Sequence, residues 1–478
     1  MRELLEDLVD AAAGRADYAD ARHVRSVSER IAVRNGAVHE LELDEGDGVG
    51  VRVRIGGAWG FAAVRGDARA DAEAALRRAL DVAKAQPQAE GSGLAAEPPA
   101  RGSWQSPAER DPFEVPLEEK LAVLSRADEA MRAEPGLAVA TARYNAFRTD
   151  KAFASSEGAY CEQRLTECGG NIAAAAVDRA ETQTRSYPAS HGGSVVQAGY
   201  EHFASLRLVE EAPRLAAEAV ELLKAPPCPA GETDLILVGE QLALQIHESV
   251  GHASELDRVL GREASYAGTS YLAPGGRDSF RVGSELMNVT ADATTPGGLG
   301  SFRWDDEGVE GQAVPLIREG VLRGFLSSRE TASEIGLERS GGCMRADGFG
   351  RQPIVRMTNV NLEPGDAGTL EDLIADTDRG LLIELNRSWS IDDRRLRFRF
   401  EGEAGWEISG GRRGRLLRNP SYEGLTPEFW ARLDAVCSES DWGLASTLDC
   451  GKGEPGQRAH VSHGSAPARF RGVEAGVA

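Results

Sequence analysis

Two of the eight histidines in this chain flank a glutamate in the run from Leu244 to Ser254, giving the pattern His247-Glu248-x-x-x-His252. Those residue types are the materials of metal-dependent hydrolysis. In the commoner His-Glu-x-x-His form, two imidazoles one helical turn apart bind zinc, and the glutamate between them polarises the bound water. Here the histidines are five residues apart. At about 100° per residue, that spacing swings the second ring roughly 140° away from the first, so a straight helix cannot bring both to one ion. Gly251, immediately before His252, tolerates a kink, a local widening of the helix or a change of direction. The motif therefore requires a distorted helix; the bland alternative is two unrelated histidines on a buried one.

A catalytic zinc site normally has three protein ligands and keeps one position for water. Glu255 and Asp257 follow His252 closely and are candidate third ligands. Cys450, set in the glycine-rich loop from Leu448 to Gln457, is a distant one. A thiolate is a strong soft ligand for zinc, and nearby positive charge, which Lys452 could supply, favours the deprotonated form. His460 and His463 lie just downstream as ligands, proton donors or solvent-exposed side chains, and spacing does not rank these roles.

The elements that must position these groups fall into two halves. Apolar periodicity predicts helices over Leu4 to Ala13, Ala68 to Ala85, Leu117 to Ala133 and Leu208 to Lys224. Between them lie strand-like stretches, with hairpin signals at Asn35-Gly36 and Gly56-Gly57. The segment from Gln86 to Pro112 reads as an irregular loop. Residues 225–234, opening with Ala225-Pro-Pro-Cys-Pro, read as a linker between an N-terminal α+β domain, residues 1–224, and a C-terminal domain, residues 235–478. That second domain is expected to be β-rich and barrel-like, with antiparallel strands around one metal-binding helix and a hairpin turn at Glu319-Gly320.

The net charge of −22 opposes binding to nucleic-acid phosphates. Arginine runs such as Asp393 to Arg399 and Gly411 to Arg418 read as solvated strand faces. No uninterrupted apolar run is long enough for a membrane span, and the first residues are acidic where a signal peptide is basic, so a cytoplasmic protein is expected. The six scattered cysteines lack the spacing of a disulfide framework and are expected to be mostly free and buried.

Together the His247-Glu248-x-x-x-His252 motif, Cys450-Gly-Lys in its glycine-rich tail, Asp305-Asp-Glu-Gly-Val309, the hairpin from Leu316 to Leu326 and Arg356-Met-Thr-Asn359 resemble the TldD/PmbA family, and within it the metal-bearing TldD type. Ala16 to Asp20 and Gly48 to Val53 extend the likeness over nearly the whole chain. The resemblance implies a zinc metallopeptidase with one Zn2+ per chain on His247, His252 and Cys450, and Glu248 as catalytic base. It implies unfolded peptides or modified-peptide precursors as substrates, and a heterodimer with a metal-less TldE/PmbA-like paralogue, the alternative being a homodimer. A label of DNA gyrase modulation attached to the family fits an indirect effect better than DNA binding in so acidic a chain. Two other readings use the same residues: a non-enzymatic interaction subunit stapled by its metal, and a metal-dependent amidase acting on a small molecule. The endings from Ala459 to Gly464 and from Phe470 to Ala478, and the arginine-rich stretch from Ser388 to Arg418, depart from the family's usual pattern and put substrate choice in doubt.

Overall fold

The computed structural model describes residues 1–87, 93–179 and 181–476. Long alternating runs build the N-terminal half. Tyr18–Arg34 and Ala37–Ile55 pair antiparallel around Asn35-Gly36, whose positive φ values of 49° and 81° are those of a two-residue hairpin turn. Leu137–Ser155 and Tyr160–Val177 continue the same sheet, which has eight strands. Helices Arg2–Ala11 and Arg69–Ala85 bury Leu5, Leu8, Leu76 and Leu80 against Val49, Val51 and Val53. Helices Leu117–Arg132 and Leu208–Leu222 cover another part of the sheet through Leu124, Met131, Leu215 and Ala216. The expected loop over 86–112 contains one strand, Arg101–Gln105, which pairs parallel with Tyr160–Val177; residues 88–92 of that loop lie outside the described residues.

The C-terminal half is β-rich, as its patterning predicts, but its strands do not close into a barrel. A nine-stranded open sheet runs from Asn386–Ile391 at one edge to Arg412–Arg418 at the other. It is mixed, because Gly231–Leu237 pairs parallel with Arg379–Ile383. A four-stranded sheet and the hairpin of Gly443–Lys452 with Gln457–Ser465 complete the half. The short strand Leu235-Ile-Leu-Val238 could form part of either a barrel or an open sheet, so its composition did not distinguish them. The strand begins inside the expected linker at Gly231, and the segment before it is tied down: Cys228 N–H donates to Arg418 O at 3.0 Å.

The acidic loop Asp305-Asp306-Glu307 locks the halves together. Asp306 lies 3.5 Å from Arg22 and 3.1 Å from Lys151, while Glu307 lies 3.3 Å from Arg52, which also holds Asp20 at 2.6 Å. Most of these groups are buried, so each charge depends on its partner; removing one partner from such a pair typically costs about 3–5 kcal/mol. All six cysteines are free and buried. Among the described residues, no helix is long and apolar enough to cross a membrane.

Candidate metal centre

The strand Gly231–Leu237 feeds into the helix Gly239–Ile246, whose inward residues Leu242 and Ile246 are fully buried. The helix then widens. Residues His247–Gly251 form a π-helical turn in which His252 N–H donates to His247 O, and His252–Ser254 tighten into a 3-10 turn. An i to i+5 bond brings residues five apart onto one face. The two imidazole rings consequently sit 4.8 Å apart, nearly perpendicular. The anticipated distortion is present, but Gly251 contributes to it differently. Its φ of −57° is ordinary for any helical residue; what glycine supplies is room, since a Cβ there would meet Met357 Sδ at 2.2 Å.

Buried polar side chains hold the widened turn. Trp430 Nε1 donates to Ser249 Oγ at 2.9 Å, and the Tyr271 hydroxyl donates at 3.1 Å to Ser249 O, a carbonyl that a continuing helix would pair internally. Gln241 and Gln245 meet at the Tyr422 hydroxyl.

Cys450 approaches from the terminal hairpin, opposite Ala459 and just past an irregularity in the strand register. Its Sγ lies 3.6 Å from His252 Nε2. His247, His252 and Cys450 offer ligand atoms that all fall within 4.8 Å of one another. Zn–N and Zn–S bonds of about 2.0 and 2.3 Å at a tetrahedral angle span roughly 3.6 Å, so the cysteine–histidine edge already has the size of a zinc site.

The hydrogen bonds decide which ring nitrogens are available. His463 Nδ1 lies 2.9 Å from Val360 O, which can only accept, so this nitrogen carries the proton. His463 Nε2 is then bare and accepts from His247 Nδ1–H at 2.7 Å. His247 is left with an open lone pair on Nε2. In the same way His252 Nδ1–H donates to Glu255 at 2.9 Å and turns its bare Nε2 towards Cys450. Burial pushes the pKa of all three histidines below the ordinary value, keeping the imidazoles neutral as ligation requires. Burial pushes the Cys450 thiol up, the Arg356 guanidinium pulls it down, and the net shift is downward, towards the thiolate.

Several candidates take other roles. Glu255 orients His252, and burial raises its pKa less than Lys452 and His252 lower it, leaving a firm carboxylate. Asp257 holds Lys452 Nζ at 2.7 Å, and Glu255 lies 3.4 Å from the same amine. Lys452 is thus spent on two acids. The cation beside Cys450 is Arg356, whose guanidinium donates to Cys450 O and Gln457 O. His460 points to the other side of its strand, pairs with Glu167, and lines a separate cavity of about 430 Å³ against the N-terminal sheet. Glu248 is next to His247 and nearly buried, its carboxylate paired with Arg395. Arg395 belongs to a run expected to face solvent; instead it turns inward from a hairpin loop, a placement that alternation cannot reveal because the loop interrupts it.

This chain matches the PmbA/TldA metallopeptidase domain 1 over residues 19–85, the central domain over 110–225 and the C-terminal domain over 230–476. It belongs to the PmbA/TldD family. Among its relatives, a metalloprotease of Methanocaldococcus jannaschii is 30% identical over 468 residues, covering 97% of each chain. A protein of Saccharolobus solfataricus named as a zinc metalloprotease TldD homolog is 27% identical over 260 residues, 54% of each chain. Two crystal structures share the fold. A Thermotoga maritima protein described as a modulator of DNA gyrase superposes with a TM-score of 0.78 at 17% identity, covering 99% of both chains. TldE from Thermococcus kodakarensis superposes with a TM-score of 0.73 at 17% identity, covering 98% of this chain and 99% of its own. As a PmbA/TldD chain, it carries a potential metal-binding trio in the C-terminal domain, on the widened helix and the terminal hairpin.

Proposed function

We propose that this chain is a zinc-dependent peptidase, with one ion per chain held by His247, His252 and Cys450 and with Glu248 as general base. The observation carrying this reading is the convergence of two neutral imidazoles, each with its Nε2 lone pair free, on a thiol of lowered pKa, with a carboxylate at the next position. A divalent ion in such a donor set supplies a Lewis acid that polarises a peptide carbonyl and makes a water acidic near neutral pH. Glu248 accepts the proton of the attacking water and returns it to the leaving amine. His463 and Glu255 hold the two ligand rings in their tautomers, and Arg356 favours the thiolate. A staple would not need an acid beside a ligand, which favours an enzyme over a scaffold.

Unfolded peptides are the substrate class the sheet suits. Asn386–Ile391 is an edge strand, largely exposed, and its chain runs on into the loop carrying Arg395 to Glu248. An extended peptide added along that edge would gain main-chain hydrogen bonds with little dependence on sequence. The shared fold with TldE supports pairing with a metal-less TldE/PmbA-like paralogue, the alternative being a homodimer, and we place the protein in the cytoplasm.

The test is metal content by mass spectrometry joined to cleavage of an unfolded peptide, with and without chelator and with and without a TldE-like partner. Glu248→Gln should keep about one zinc per chain and lose about 10²–10⁴-fold in turnover. Cys450→Ser should lower zinc content. Turnover retained by Glu248→Gln would remove the general base, and unchanged zinc in Cys450→Ser would remove the third ligand.

A further inference from the structure

Glu248 has one ion-pair partner among the described residues, and its position is unusual. Arg395 lies in the five-residue connection 392–396 between the strands Asn386–Ile391 and Arg397–Gly402, with a φ of +61°. Hairpin loops of this length commonly place a glycine at such a left-handed position, because a Cβ there is strained. The loop is nevertheless pinned around the arginine. Arg395 N–H donates to Asp392 O at 2.9 Å, and Thr426 Oγ1 donates to Arg395 O at 2.8 Å. The strained backbone aims the guanidinium at Glu248, and Arg395 Nε is buried without a hydrogen-bond partner. One guanidinium N–H therefore occupies a carboxylate oxygen that the proposed reaction needs for water, while another buried N–H has nothing to hold.

An arginine held in this way beside the proposed base can exchange the Glu248 oxygen for a carboxylate of the substrate. We propose that Arg395 recognises a substrate carboxylate, the free C-terminal carboxylate of a peptide, and that in its absence the same side chain latches Glu248. The inference rests on the peptidase reading above and narrows its substrate class to peptides cleaved near their C-terminus. Two parallel N–H donors of a guanidinium fit a carboxylate bidentately. A carboxylate engaging the two Nη groups of Arg395 end-on takes over the Nη1 donor now spent on Glu248 and leaves that oxygen facing the water. A peptide added parallel to the edge strand Asn386–Ile391 would bring its last residue to this loop, within reach of the arginine.

Binding can be read without hydrolysis. Calorimetric titration of the metal-stripped full-length chain would compare an unfolded pentapeptide as free acid, the same peptide as C-terminal amide, and an amide carrying a glutamate side chain at its last position. The free acid should bind about 10-fold more tightly than either amide, as expected for a charge-assisted pair. Glu248→Gln, which replaces the charged competitor by a weaker neutral acceptor, should widen that preference. Arg395→Gly should abolish it. Glycine accepts the left-handed backbone, which offsets part of the cost of leaving Glu248 unpaired; the double variant Arg395→Gly, Glu248→Gln, which leaves no unpaired charge, should lose the preference equally. Equal binding of acid and amide, or a preference surviving Arg395→Gly, would overturn the proposal; equal binding of the glutamate-bearing amide would overturn the C-terminal source. If the preference fails while chelator-sensitive hydrolysis persists, only the Arg395 assignment falls. If hydrolysis is absent while the preference persists, the peptidase reading falls instead.

Discussion

The lone pair that His247 presents depends on a residue outside the proposed ligand set. His463 donates to Val360 O and accepts from His247 Nδ1–H inside a fully buried site. His463→Phe keeps most of the ring volume, but it removes that acceptor and strands the His247 N–H. Metal affinity should fall about 10–100-fold, as is usual when a ligand's hydrogen-bonding support is lost. Competition against a chromophoric chelator measures this, and unchanged affinity would remove His463 from the support of the site. At this scale the residues differ in how far the sequence revealed them. The two motif histidines declare themselves by type and spacing. Cys450 stood out among the cysteines by its polar, glycine-rich setting, but it became the favoured third ligand only through the family resemblance, because a thiol in a glycine-rich loop has no periodic signature. Glu255 was visible as an acid near His252, but whether it faces the metal or the far ring nitrogen depends on a side-chain direction that one-dimensional spacing does not hold. Arg356 lies 94 residues from Cys450 and reaches it only through tertiary packing.

The element that makes the site is a helix whose last turn is wider than the turns before it. Five-residue spacing around a glutamate, followed by glycine, implied such a distortion without selecting between a kink and a π turn. Three-dimensional context selects it: Ser249 is held by Trp430 and Tyr271, and Gly251 leaves space for Met357. Two effects compete in Gly251→Ala. Alanine in helical backbone gains about 1 kcal/mol over glycine, whereas forcing a methyl against the Met357 sulfur costs about 1–3 kcal/mol. At 2.2 Å the clash is deep, and its atom is in the middle of the side chain, so the cost should win. The variant should be destabilised and should bind metal less tightly, because any backbone relief displaces the adjacent His252. Combining it with Met357→Ala should give a double variant more stable than the sum of the two single effects, measured by urea unfolding. Strict additivity would show that the two side chains do not compete for the same space.

Across the whole molecule, the division into an α+β half and a β-rich half follows from alternating runs and amphipathic helices. The barrel expectation failed because closure depends on which strands become neighbours, and the parallel pairing of Gly231–Leu237 with Arg379–Ile383 joins segments far apart in sequence. Contacts between the halves were equally hidden, since a single Asp or Glu between strands carries no mark of its partner. Glu403 is one such contact. From the nine-stranded sheet it accepts from Ser186 N–H at 2.8 Å and Ser186 Oγ at 2.7 Å, with Arg185 at 3.6 Å. Burial pushes its carboxyl pKa up, beyond what Arg185 and Ser186 pull down, to about 7 from an ordinary 4.5. The native state therefore keeps a proton that the unfolded chain loses. Below pH 4.5 both states hold it; between 4.5 and 7 only the unfolded state ionises, so stability falls as pH rises; above 7 both are ionised and the contribution is flat. A shift of this size corresponds to roughly 3 kcal/mol. Glu403→Gln, neutral throughout, should gain about that much relative to the wild type between pH 5 and pH 8 in urea unfolding of metal-free protein. A variant whose stability stays parallel to the wild type over that range would mean that the carboxyl is already ionised in the fold, and that Arg185 outweighs burial at the junction between the halves.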